Sequence, residues 1–428
     1  MARNLVADGL PNYWNLFNLQ ENPYFQTTLG ESGRRYPMSL FVGRGAELKR
    51  LLAGIGGAGS SRQAVGGAPG VGKTTLVQSV KAAALAHGYW ATQGVIPFYP
   101  DDTAERVMGR VLEGVYEAIL TTRPETADHP VMQRAQQYVR AFRLVGGGGG
   151  VSLAGFGASA SQSSAAVTPT AGLLLDGPRV IRELLAITSE HAKGIVLHLN
   201  NLENLSDRDV ANAADILRSL RDPVLLQDGL HVLLVGTTEA VTGATAAHPQ
   251  LRSVFSLLAL EAMPEPDVQT LLEARYRHVV RDPRRPATPP VAPEAVAALY
   301  PLFRGDLRGL FKALEEGVTL LVGLVGDAPG ASLSVDSLRP ALQRRYAELL
   351  AQTLSPTRQR QLTAWAQELG SEATPTQEEL RRLWKLSQPS VSQALQDLGG
   401  AGYAGPLPRC GAEATTYAMT GASRLIFR

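Results

Sequence analysis

The stretch that most constrains this chain is Gly67-Ala68-Pro69-Gly70-Val71-Gly72-Lys73-Thr74, a full match to the GxxxxGK[ST] pattern. It is entered through the short apolar run Gln63-Ala64-Val65 and left through Thr75-Leu76-Val77. Such a loop works only between a strand and a helix, so it commits the surrounding residues to an α/β fold with a parallel sheet. Its glycines let successive backbone N–H groups turn inward around phosphates, and the following helix presents its positive N-terminal end. Lys73 then reaches the outer phosphates and Thr74 offers a hydroxyl to Mg²⁺. Gly67, Gly70, Val71, Gly72, Lys73, Thr74 and Thr75 are therefore the expected contacts of ATP or ADP with Mg²⁺.

At 428 residues the chain exceeds one ordinary core, and about 100 to 200 residues per domain suggests two to four domains. The single cysteine, Cys410, excludes an intrachain disulfide and a multi-cysteine zinc site. No apolar run approaches the roughly 18 to 20 residues that span a bilayer. The start, Met1-Ala2-Arg3-Asn4, is not followed by a signal-like apolar core, so a soluble cytoplasmic protein with no membrane partner is expected. Net charge is +2 but unevenly placed: residues 339–428 hold 11 Lys and Arg against 7 Asp and Glu. A basic tail is a mild sign of nucleic acid, and equally of a solvated positive face.

Residues 1–40 mix aromatics with turn residues, as in Tyr13-Trp14, Phe17 and Asn22-Pro23-Tyr24-Phe25, and read as a wrapping segment. Next, Phe41-Val42-Gly43-Arg44 leads into a helix carrying Leu48, Leu51 and Leu52 on one face. This turn, placed some way before a phosphate loop, resembles the opening of AAA+ ATPases. Asn22-Pro23-Tyr24 ahead of it is similar to the origin-recognition/cell-division-control initiator group. The resemblance implies an AAA+ core over 41–262, a helical lid over 263–335 and a winged-helix domain over 339–428. It also implies that Phe41, Val42 and Gly43 lie beside the adenine.

After the loop, Leu76 to Ala86 reads as a helix, Trp90 to Phe98 as a second strand, and Asp101-Asp102-Thr103 as a cap for a helix bearing Val107, Val111, Val115 and Ile119. The Gly-, Ala- and Ser-rich tract at 145–173 is an insertion too poor in large apolar groups for its own core; initiator-type relatives use an insertion in this interval to touch DNA. The run Gly194-Ile195-Val196-Leu197-His198-Leu199 is a buried-strand pattern ending in Asn200-Asn201. It occupies the Walker B place, where the family ends its strand in Asp-Glu. An Asp there holds the Mg²⁺ shell and the Glu orients or activates the attacking water. Asn200 can still accept through its amide oxygen, whereas Asn201 cannot act as a base. Glu203 is the nearby carboxylate that would have to substitute. Tight ATP binding with slow or absent turnover follows.

Two further positions come from the resemblance. Thr237, after the strand His231 to Gly236, stands where sensor 1 meets the γ-phosphate or attacking water, and Arg252 falls in the arginine-finger interval, implying a homo-oligomer. In the lid, Gly305-Asp306-Leu307-Arg308 opens a helix and makes Arg308 the sensor 2 arginine. The tail begins with helices near 339–354 and 357–369. Thr374 is then expected as an N-cap with Pro375 first in the helix and Leu380, Leu383 and Trp384 on its buried face. A turn leads to helix 389–398, and two short strands follow around Pro406 to Glu413, a succession that resembles a winged helix-turn-helix. It implies double-stranded DNA as partner: Gln388, Ser390, Ser392 and Gln393 meet base edges or phosphates, Arg381, Arg382 and Lys385 supply backbone charge, and Arg409 lies at the wing tip. A signalling or scaffold ATPase whose winged helix binds protein, and an active DNA-stimulated ATPase, remain the alternatives.

Overall fold

The structure, a computed structural model, describes residues 12–27, 29–30, 36–144, 173–202, 205, 207–322, 331–407 and 414–428. Nearly all of the insertion at 145–173, together with Glu203, Arg409 and Cys410, lies outside the described residues. The chain divides into two compact units. One consists of Gly45–Gly67 and Lys73–Leu260; the other takes in the described residues of Met1–Arg44, Ala68–Gly72 and Glu261–Arg428.

The first unit is the α/β one. Its elements are α1 (Gly45–Gly56), β1 (Ser61–Gly67), α2 (Lys73–Ala86), β2 (Trp90–Ala91), β3 (Ile96–Pro97), α3 (Ala104–Thr122), α4 (Pro130–Leu144) and α5 (Leu173–Ser189). After these come β4 (Ile195–Asn200), α6 (Asp207–Ser219), β5 (Leu230–Gly236), α7 (Thr238–Ala246), α8 (Pro249–Arg252) and β6 (Ser256–Leu260). The strands form a parallel sheet in the order β2-β4-β5-β1-β6, with β3 pairing to β4 as well. Continuous Val, Leu and Ile runs suit strands covered on both faces. Leu197, Leu199, Val232 and Leu234 pack in one core with Val107, Val111, Val115 and Ile119 of α3. The expected strand from Trp90 to Phe98 is in fact two short pieces. Ile96 pairs opposite Leu199 and Trp90 opposite Ile195, with Gly94 in the break between them. Helix α4 and strand β6 go beyond what the sequence pattern predicts; β6 is only five residues long, with Ser256, Leu257 and Ala259 exposed and Leu258 and Leu260 buried.

In the second unit, a short 3₁₀ turn at Tyr13–Phe17 precedes α9 (Glu265–His278), α10 (Pro293–Phe303), α11 (Leu307–Leu321) and α12 (Val335–Thr353). Then follow α13 (Pro356–Glu368), α14 (Gln377–Trp384), α15 (Gln388–Gly400), β7 (Ala404–Pro406), β8 (Tyr417–Met419) and α16 (Gly421–Phe427). Trp14, Phe17, Leu19 and Tyr24 of the N-terminal segment are buried among Leu272, Tyr276, Leu299 and Phe311. Arg275 fastens the segment: its Nη1 donates to the Phe25 carbonyl at 2.8 Å, and its guanidinium lies between the Phe25 and Phe311 rings. Around Trp365, Leu380, Val391, Leu395 and Leu398 a second core joins α13, α14, α15 and the antiparallel β7–β8 pair. The N-cap of α14 is Thr376, not Thr374. Thr376 and Glu379 form a reciprocal capping box, while Pro375 stays outside the helix and its carbonyl accepts from Tyr417 N at 2.9 Å. Both threonines have a Gln or Glu three residues on, the spacing a box requires, and it is the Thr376–Glu379 pair that closes it.

Candidate functional site

Parallel pairing brings several candidates in the α/β unit to one edge of the sheet. Gly66 lies opposite Gly236 and Leu199 opposite Leu234, so Gly67, Asn200 and Thr237 end or follow three adjacent strands at their carboxyl ends. In open α/β sheets that edge is where ligands bind. Gly66 cannot be larger, because a Cβ there would lie 2.9 Å from Thr238 Cα. This seats the first turn of α7 directly on β1.

Lys73 opens α2, is buried, and donates from Nζ to the Gly67 carbonyl at 2.9 Å. The lysine thus bridges the loop's entry and exit. Thr74 and Thr75 follow in the first turn, half-buried. Since Leu197 and Leu199 point to the α3 core, strand alternation turns His198 and Asn200 to the other face. Lys81 of α2 acts on His198 there. His198 has no hydrogen-bond partner at either ring nitrogen, and burial, then Lys81, pulls its pKa down to about 3. Asn200 Oδ1 is likewise buried without a partner. A neutral amide oxygen turned to the face of the phosphate-loop helix, with nothing to accept from, fits the hydration shell of Mg²⁺ beside Thr74, though with weaker attraction than a carboxylate. Mg²⁺ bound there would neutralise phosphate charge.

Asn201 adopts a left-handed conformation, φ 73, which an Asn tolerates better than most residues. Thr237 Oγ1 accepts from Ala240 N at 3.3 Å, so the sensor-like hydroxyl also caps α7. Arg252 is exposed in the short α8 and donates from Nε to the Ala246 carbonyl. No sequence motif marks Glu239, in the first turn of α7, one of whose carboxylate oxygens is buried and unpartnered.

The second unit holds the tip of the phosphate loop and the sensor-like helix. Gly70 has φ +79, and its carbonyl accepts from Leu307 N at 3.3 Å, while Asp306, the N-cap of α11, packs on it. A Cβ at Gly70 would lie 2.7 Å from Asp306 Cγ. Burial raises the Asp306 pKa, against the helix N–H of Gly309 and the charge of Arg308. Arg308 is exposed, and its guanidinium makes no hydrogen bond among the described residues. Val71 is held by a residue the sequence named only as part of a motif: buried Arg44 donates to the Val71 carbonyl at 3.0 Å and to the Glu261 carbonyl at 2.7 Å. Gly72 has φ +96 with open space around it. Phe41 and Val42 are half-buried, and Gly43, φ +83, fits against Met263 and Asp267, 3.2 and 3.1 Å from where a Cβ would be. Gly43 therefore lies against the start of α9, while Phe41 packs on the cluster of Phe25, Leu29, Tyr36 and Leu40.

On the tail, Arg382, Lys385, Gln388, Ser390 and Gln393 are exposed, Arg381 and Ser392 are half-buried, and most of them bond to neighbouring polar groups. Arg381 makes two bonds to Glu378, at 2.7 and 2.8 Å, and Arg382 one at 3.0 Å. The two arginines hold the Glu378 carboxyl down at about 2. Lys385 ends α14 in the left-handed region, φ 53. Gln388 donates to Gln377, Ser390 bonds Ser387, Ser392 donates to the Gln388 carbonyl, and Gln393 donates to Asp397.

No helix among the described residues is long and apolar enough to cross a membrane. No curated protein sequence matches the chain. Among solved structures, the chain is similar to the ORC2 protein of Aeropyrum pernix, solved as ADPNP-ADP complexes, at 18% identity and TM-score 0.45, covering 95% of each chain. It is also similar to the A. pernix ORC1 protein in complex with DNA, at 16% identity and TM-score 0.44, over 90% of this chain and 92% of that one. For Drosophila ORC bound to DNA the values are 14% and 0.45, over 100% and 93%. Residues 40–235 match the family described as the AAA ATPase domain. This span, which carries the phosphate loop and most of the parallel sheet, is an AAA ATPase domain.

Proposed function

We propose that the chain is an ATP-switched DNA-binding protein: it holds ATP with Mg²⁺ at the phosphate loop, hydrolyses it slowly or not at all, and binds duplex DNA through a C-terminal winged helix. The observation that carries the first half is the tip of β4. Asn200 is turned toward the α2 face with an unpartnered oxygen, and Asn201 follows it at the position where the resemblance sets a general base. An amide can accept from the water shell of Mg²⁺ but cannot take a proton from an attacking water.

The second half rests on the succession α14, turn, α15 and the β7–β8 hairpin, which has the order of a winged helix-turn-helix with α15 in the reading position. In this reading Arg381, Arg382 and Lys385 approach the DNA backbone. Gln388, Ser390, Ser392 and Gln393 exchange their present partners for base edges or phosphates. Nucleotide acts as an assembly or conformational switch, with Arg308 closing on the phosphates and Arg252 presented to a neighbouring copy in a homo-oligomer.

The test is equilibrium binding of a short DNA duplex across salt with and without ATP, comparing the chain with an Arg381→Ala, Arg382→Ala, Lys385→Ala triple variant. Binding that weakens with salt and is reduced in the triple variant supports the reading. Equal binding by both proteins, or none at low salt, favours a scaffold whose tail binds protein.

A further inference from the structure

A second cluster of cations is made by residues outside the phosphate loop and α15. Arg424, on α16, is only 3% exposed, and neither its Nε nor its Nη1 has a hydrogen-bond partner. The nearest acid is Glu372, whose Oε2 lies 3.8 Å from Arg424 Nη1. That carboxylate is already engaged. Arg304 Nη2 reaches its Oε2 at 2.9 Å and its backbone carbonyl at 2.6 Å, and Arg428 Nη1 reaches its Oε1 at 3.1 Å.

Three guanidiniums thus share one carboxylate, an excess of two positive charges at neutral pH. Burial, then Arg304, pulls the Arg424 pKa down to about 10, with Arg428 adding to the pull and Glu372 opposing it. Burying a guanidinium with unused donors is costly unless an acceptor arrives.

The backbone that carries Arg424 is fixed from several sides. Thr420 caps α16, Ser423 Oγ bonds the Tyr403 carbonyl, and Gly421 lies under the Phe303 ring, where a Cβ would come within 2.6 Å of Cε1. Arg304 is held too, as the left-handed C-cap of α10, φ 48. The outer members stay open to solvent: the side chains of Arg304, Glu372 and Arg428 are 32%, 46% and 53% exposed.

We propose that Arg304, Arg424 and Arg428 form a binding site for a phosphate group, separate from the phosphate loop, which Glu372 occupies until phosphate displaces it. Guanidinium forks match tetrahedral oxyanions in shape and charge, and Glu372 is the competing internal anion. The phosphate belongs either to a DNA backbone or to a free phosphate or phosphorylated small molecule.

The experiment uses the full chain with saturating ADP, so that the phosphate loop is filled, and inorganic phosphate as probe. Thermal midpoint is followed against phosphate concentration at constant ionic strength balanced with chloride. The wild type should show a saturable rise. Glu372→Gln should lower the half-saturating phosphate by about threefold or more and Arg428→Ala should raise it by as much, the scale of one partly exposed ion pair. A structural role for Glu372 would lower the midpoint without tightening phosphate. A response no greater than chloride in both wild type and Glu372→Gln, or the same half-saturation in all three proteins, overturns the proposal.

The second arm reads the salt dependence of binding to a short duplex. If the phosphate is DNA's, Arg428→Ala reduces the log–log slope by about 0.9. An unchanged slope beside a retained phosphate response assigns the site to a free phosphate.

Discussion

The phosphate loop and the exposed faces of α14 and α15 are built on opposite plans. In the loop, backbone carbonyls are tied down by buried or structurally fixed donors: Gly67 by Lys73, Gly70 by the Leu307 amide and Val71 by Arg44. On α14 and α15 the polar groups are exposed and hold one another, as Glu378 holds Arg381 and Arg382. Exposed pairs of that kind contribute about 0 to 1 kcal/mol each, so they are easily exchanged for another partner. The difference is one of preorganisation. A fixed loop binds its ligand with little rearrangement, whereas a surface of mutually paired side chains must break contacts first, and its binding should be weaker and steeply salt-dependent.

Removing the lysine should break the first region most completely. Lys73→Ala is expected to lower ATP affinity by about 100-fold, since a charge-assisted contact is worth about 1.5 to 3 kcal/mol. Calorimetric titration checks this, and DNA binding without nucleotide should stay unchanged.

The loop's rigidity itself is tested by comparing two glycines. Gly70→Ala meets both a positive φ and the Asp306 side chain, while Gly72→Ala meets only the positive φ. Strain of about 1 to 3 kcal/mol is expected for a non-glycine residue in such a conformation. Gly70→Ala should therefore lower ATP affinity and thermal midpoint more than Gly72→Ala; equal effects would remove Asp306 and α11 from the account of the loop.

Acid should separate the two regions. An unfolded histidine takes a proton near its ordinary 6.5, but folded His198 does so only at about 3 and His231 at about 4. Between those values the unfolded state binds more protons, so stability falls as pH falls from 6.5, by at most about 1.4 kcal/mol per pH unit for each histidine. Glu378 stays ionised over this range because its pKa is held at about 2. The α/β unit is expected to lose stability between pH 6.5 and 4, and His198→Leu should flatten that slope in denaturant titrations at several pH values.

The smallest effect belongs to the tail. Glu378→Gln frees Arg381 and Arg382 and should tighten duplex binding a few-fold while steepening its salt slope by up to about 0.9 per freed arginine. Loss of binding in this variant would mean that the carboxylate positions the two arginines rather than competing for them.

How legible these features were depended on how local they are. The phosphate loop, the amide-tipped strand and the opening of α11 are consecutive residues whose spacing is itself the signal. Arg44 was visible only as the end of a motif, because its role depends on two carbonyls at residues 71 and 261. Glu372 and Arg424 are separated by more than fifty residues, and neither carries a periodic or capping signature. A proline favoured at the first helical position points to Thr374 as the N-cap of α14, but the box closed by Thr376 and Glu379 sets the start two residues later. The stretch from Trp90 to Phe98 reads as one strand, but Thr92-Gln93-Gly94 interrupts its apolar content and the pairing with β4 breaks there into β2 and β3.

In the proposed reading, the AAA ATPase domain is better fitted to hold ATP than to consume it. Steady-state ATP hydrolysis, measured beside ATP binding for the wild type and an Asn200→Asp, Asn201→Glu variant, tests it most directly. Tight binding is expected in both, with wild-type turnover well below ~1 s⁻¹ and a rise of about 100-fold or more once the acids are restored. Steady wild-type turnover above ~1 s⁻¹, the low end of ordinary enzyme rates, abolished by Lys73→Ala, would contradict it.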